Sequence, residues 1–106
     1  MTKLIKKLDG SCKCETDIQF DDKRTLRIST SKVKGQGVIT SLVVGVVENF
    51  YSFSTMIFGD FSKIIRYPKG TRATEKNIAR LHQEVLANQA SYIAEARKHY
   101  ESLVQH

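Results

Sequence analysis

Residues 38–67, VITSLVVGVVENFYSFSTMIFGDFSKIIRY, restrict the fold more than any other part of the chain. They hold most of its apolar residues, broken at two places that read as turns. Glu48-Asn49 separates two runs of strand formers, and Gly59-Asp60 separates the second run from a third. Two-residue loops suit antiparallel hairpins, because glycine or asparagine takes the positive φ that primed turns need. With both read this way, Val47 faces Phe50 and Val43 faces Ser54. Across the second turn Phe58 faces Phe61, Met56 faces Lys63 and Ser52 faces Tyr67.

Side chains alternate along a strand, so this register defines two faces. One carries Val38, Leu42, Val44, Val46, Tyr51, Phe53, Ile57 and Ile64 and is the expected core. The other mixes Ser41, Val43, Gly45, Ser52, Ser54 and Lys63 with Phe50, Phe58, Phe61, Ile65 and Tyr67. A membrane span is the rival reading of 38–61. It would set Glu48 near mid-bilayer, where a charge costs roughly 2.5–3.5 kcal/mol even on the lenient insertion scale. A sheet is therefore preferred, with no membrane partner.

Upstream, residues 12–20 alternate, with Cys12, Cys14, Thr16, Ile18 and Phe20 on one side, which predicts a half-buried strand. Residues 24–33 alternate again, with Leu26, Ile28 and Thr30 against Arg27, Ser29 and Ser31. A three-residue Gly35-Gln36-Gly37 loop puts Leu26 and Ile28 in the core; a four-residue loop would bury Arg27, which is costly without a partner. The first register is chosen, so Arg27 joins Lys63 on the open face. Residues 1–10 form a basic segment, read as one helical turn or an edge extension.

Pro68 stops the last strand, since proline cannot donate to a ladder. Thr71 or Thr74 then caps a helix, and Glu75 suits its positive end. Ile78, Leu81, Val85, Tyr92, Ile93, Ala96, Tyr100 and Leu103 recur at helical spacing through 72–104. A straight thirty-residue helix would span about 45 Å. It must project past the sheet, break near Asn88–Ser91, or pack on a second subunit.

The expected fold is α+β: a single domain over residues 1–106, with a five-stranded antiparallel meander (12–67) and one long or broken C-terminal helix on one face. A chain of 106 residues can bury a core without disulfides or metal. Cys12-Lys13-Cys14 is too close for an easy bridge, which points to a reducing, cytoplasmic setting. The start, MTKLIKKL, lacks the apolar core of a signal peptide.

Catalytic and metal chemistry find little footing. His82, His99 and His106 all lie in the helix or its tail, and a structural zinc site needs four ligands. No cofactor motif is present. The net charge of +6, from 17 basic and 11 acidic residues, favours acidic partners. A small non-enzymatic module that binds single-stranded or non-specific nucleic acid is therefore expected, acting through the open sheet face. Arg27, Lys63, Lys32, Lys34, Arg66, Lys69 and Arg72 would meet phosphates, and Phe50, Phe58, Phe61 and Tyr67 would offer stacking surfaces. The alternative is a protein-interaction or inhibitor module using the same face or the helix. Because that face is partly apolar, a homo-oligomer is expected in either case.

Overall fold

The computed structural model describes residues 2–49 and 51–104. Five antiparallel strands, β1 (Thr2–Lys6), β2 (Cys12–Gln19), β3 (Arg24–Val33), β4 (Gly37–Asn49) and β5 (Ser54–Arg66), pair in chain order. Two helices follow, α1 (Glu75–Leu86) and α2 (Gln89–Val104). The class is α+β, as the alternation and the C-terminal periodicity predict. Among the described residues, no helix is long and apolar enough to cross a membrane.

The helices cover one face. From β2–β4 that face sends Phe20, Leu26, Ile28, Leu42 and Val44 into a core closed by Val85 of α1 and Ala96 of α2. A second cluster joins Cys12, Cys14 and Val38 to Ile78 and Leu81. Each fully buried aliphatic contributes roughly 1.5–3 kcal/mol of transfer free energy. Thr74 caps α1, its hydroxyl accepting from the Asn77 amide at 3.3 Å. The helix breaks after Ala87, so it is not one long rod. The break lets Val85 and Ala96 reach the same core instead of sending a ~45 Å rod past the strands.

One open expectation is decided and several others are corrected. The basic N-terminal segment is the edge extension rather than the helical turn, contributing a strand, β1, at one edge of the sheet. The β3–β4 loop is Lys34–Gln36, closed by the Val33–Gly37 pair. Parity survives this slide, so Leu26 and Ile28 are buried and Arg27 lies on the open face. Glu48-Asn49 is not a turn, because β4 runs on until Asn49 pairs with Ser54. A primed turn would need positive φ there, and among the described residues only glycines have it.

Gly59-Asp60 is not a turn either. Gly59 is absent from the positive-φ glycines, and β5 continues through it to Arg66. Both halves of β5 pair with β4, joined by an irregularity in which Val43 faces Ser62 while Gly45 faces Phe58. Gly59 serves a close approach instead: a β-carbon there would lie 2.7 Å from the Tyr100 hydroxyl. The shift there is two residues, so β5 keeps its parity throughout, and the second half lies on the face opposite to the one a turn at 59–60 would give it. Phe61, Lys63, Ile65 and Tyr67 lie on the helix side, and Ile64 faces outward, 44 % exposed. Tyr51, Phe53 and Ile57, expected in the core, are exposed at the hairpin end.

Candidate nucleic-acid interface

Arg27 and Lys63 do not share a surface. Arg27 lies on the open face, where its guanidinium donates to both Asp17 oxygens at 2.9 and 3.0 Å. Glu15 stands 3.6 Å away, and the guanidinium sits 5.5 Å over the Phe58 ring. The bond from Arg27 holds the Asp17 carboxyl below its usual range. Lys63 lies on the other side, bonded to both Glu95 oxygens at 3.0 Å and 5.3 Å over the Tyr92 ring. Both cations are satisfied by carboxylates of the chain itself. Phe61 packs on the core and Tyr67 is half-buried, so neither is a free stacking platform. Phe58 remains about half exposed on the open face; Phe50 lies outside the described residues.

The other predicted cations do come together, at one end of the sheet. The register sets Lys6 opposite Cys12, Lys32 opposite Val38 and Arg66 opposite Ile39. The β1–β2 loop, the β3–β4 loop and segment 68–74 therefore meet there. The Cys12 amide donates to the Ala73 carbonyl at 3.1 Å, and Lys7 Nζ donates to the Lys32 carbonyl at 2.9 Å. Between these segments lies an open cleft of about 560 Å³, lined by Asp9, Gly10, Ser11, Lys32, Gly37 and Gly70 through Thr74.

Local chemistry builds its walls. Gly10 and Gly70 take φ of 86° and 90°, which L side chains avoid. Asp9 accepts from the Ser11 hydroxyl at 2.6 Å and the Ser11 amide at 2.9 Å. These bonds lower its carboxyl pKa, so it stays ionised. The Thr71 hydroxyl donates to the Pro68 carbonyl at 2.6 Å and closes the second turn. Around the cleft Lys6, Lys32, Lys34, Lys69 and Arg72 are exposed. None of the five makes an ion pair among the described residues. Arg66 donates to Gln36 Oε1, a neutral acceptor, at 3.0 Å. Asp9 is the carboxylate of these segments, and Glu75 follows them at the start of α1.

The sequence reading missed a buried polar row. His82 is fully buried. Its Nε2 lies 2.7 Å from Thr16 Oγ1 and its Nδ1 2.8 Å from Thr30 Oγ1. Thr16 continues to Thr2, and Thr30 continues through Thr40 to the Tyr67 hydroxyl, each step 2.7 Å. The row thus crosses the sheet between the two core clusters. Burial lowers the His82 pKa and keeps the ring neutral. A polar residue inside the Ile78–Leu81–Val85 stripe, facing core-side threonines, was the signal available for it.

Cys12 and Cys14 are buried free thiols, and burial raises the Cys14 pKa, with Cys12 adding to it. Both therefore sit in the core as small apolar side chains. Among the described residues, no three His, Cys, Asp or Glu side chains converge as metal ligands. Comparison with protein-family models, with curated proteins and with solved structures found no match for this chain.

Proposed function

We propose that this protein is a non-enzymatic nucleic-acid-binding module that grips the phosphate backbone with the cationic end of its sheet. The observation that carries the reading is the contrast between two sets of cations. Those on the sheet faces, Arg27 and Lys63, are neutralised within the chain. Those at the sheet end, Lys6, Lys32, Lys34, Lys69 and Arg72, are exposed and make no ion pair among the described residues. A cation that neutralises a phosphate releases counterions, and this sequence-independent term supplies nearly all of non-specific affinity. The site is built from strand ends, Lys6 and Lys32, and from the loops beside them, which are a usual place for a binding surface.

The test is fluorescence anisotropy with a labelled mixed-sequence oligonucleotide, single-stranded and duplex, at several salt concentrations. If five phosphates are neutralised, the duplex affinity falls roughly 500-fold between about 50 and 200 mM salt. Lys32→Glu with Lys69→Glu and Arg72→Glu abolishes binding. Absence of binding at low salt, or wild-type affinity in that triple variant, overturns the reading.

A further inference from the structure

The sheet has two margins, guarded differently. β1 is five residues long and carries Lys3 and Lys6; lysines and short length are common guards against edge pairing. The inner part of β5 is guarded as well, by the irregularity at 59–61 and by Lys63 and Arg66. Ser54–Phe58 has no such device. It carries no charge, proline or glycine, and Ile57 and Phe58 are 52 % and 47 % exposed. It lies where the β4–β5 hairpin outgrows the sheet: β3 ends its pairing with β4 at Arg24–Val46, whereas β4 and β5 pair as far as Asn49–Ser54.

Charge rules out a polyanion as the occupant, since the only charged residues of 35–62 are Glu48 and Asp60. Residues 35–62 contain no lysine or arginine, whereas the rest of the chain holds all 17 basic residues. A polyanion finds no counter-charge on this hairpin. A second copy can approach here without bringing two cationic surfaces together. An antiparallel edge is also self-complementary about a two-fold axis, the commonest symmetry of homo-oligomers.

We infer that Ser54–Phe58 is a self-association edge, on which two copies join their sheets antiparallel about Met56. Met56 then faces the partner's Met56, Ser54 faces the partner's Phe58, and Thr55 faces the partner's Ile57. The seam is about 17 Å long at ~3.4 Å per residue. It lies at the small end of specific interfaces, so the dimer dissociates on dilution.

Sedimentation analysis from about 5 to about 500 μM, a range that brackets weak association, tests this. The mass rises from 12.0 kDa towards twice that value. Ile57→Lys raises the dissociation constant at least ~10-fold, because it adds the missing edge guard. Amide exchange of the wild-type chain supplies a readout that does not depend on that variant folding: protection over Ser54–Phe58 grows with concentration. A mass fixed at 12.0 kDa, undiminished dimerisation in Ile57→Lys, or concentration-dependent protection confined to other segments overturns the inference.

Discussion

His82 Nε2 and Thr16 Oγ1 lie 2.7 Å apart with no solvent reaching the ring. The contact ties α1 to β2, and its mirror through Nδ1 ties α1 to β3. Removing the ring opens a cavity and deprives two buried hydroxyls of a partner. His82→Ala lowers unfolding free energy by about 2–4 kcal/mol, from the cavity and the lost hydrogen bonds. Urea denaturation measures it; a loss below ~1 kcal/mol would mean that the threonines re-pair without cost.

The same ring sets a pH dependence. Burial depresses its pKa below the ordinary value of 6.5. Between the two values the unfolded chain binds a proton that the folded chain does not. Stability is thus intact above 6.5 and falls as pH drops below it, by at most ~1.4 kcal/mol per pH unit. Melts at pH 7 and pH 5 test this, and His82→Gln flattens the slope in that window.

Two glycines of the β4–β5 pair tolerate a methyl group differently. A β-carbon on Gly45 would meet Met56 Cγ at 2.5 Å, and one on Gly59 would meet the Tyr100 hydroxyl at 2.7 Å. Met56 is unbranched but must turn about χ1 to carry both Cγ and Sδ away, and Phe58 Cδ1 stands next at 3.2 Å. Tyr100 is a rigid ring held under Arg24, 4.3 Å away, and edge-on to His99. Gly45→Ala costs about 1 kcal/mol, the low end of overpacking, whereas Gly59→Ala costs about 1–3 kcal/mol. Paired thermal melts compare them.

Charge reversal separates the sheet end from the sheet face. Arg27→Glu places a third carboxylate beside Asp17 and Glu15, and lowers stability modestly, by about 1 kcal/mol. It leaves oligonucleotide affinity within ~2-fold, while Arg72→Glu weakens it by removing a phosphate contact and flattens the salt slope by about one unit. Equal losses in the two variants would return the interface to the open face.

The N-terminal half of the sheet was legible because its alternation is unbroken. Cys12 through Phe20 and Leu26 through Thr30 each have one consistent buried side. The cap was narrowed to Thr71 or Thr74 and falls at Thr74, and of the three outcomes open to the long helix the break near Asn88–Ser91 is the one found. The hairpin misled because Gly59-Asp60 has turn composition. Its glycine answers to Tyr100, some forty positions away, and no local pattern records that. Lys63 followed, since a strand's parity is inherited from whichever neighbour it pairs with. Of the cations at the sheet end, Lys32, Lys34, Arg66, Lys69 and Arg72 were singled out one by one and Lys6 was not. What gathers them is the register of every strand, and sequence spacing alone does not contain it.

The hydroxyl row through His82 has a directional consequence. A neutral imidazole carries one ring hydrogen, so it gives on one side and receives on the other. On the receiving side each hydroxyl must spend its hydrogen towards the ring and take one from the neighbour behind. The tautomer of a sealed imidazole therefore dictates which flank of the sheet has its hydroxyl hydrogens turned inward, Thr2 on one flank or Tyr67 on the other.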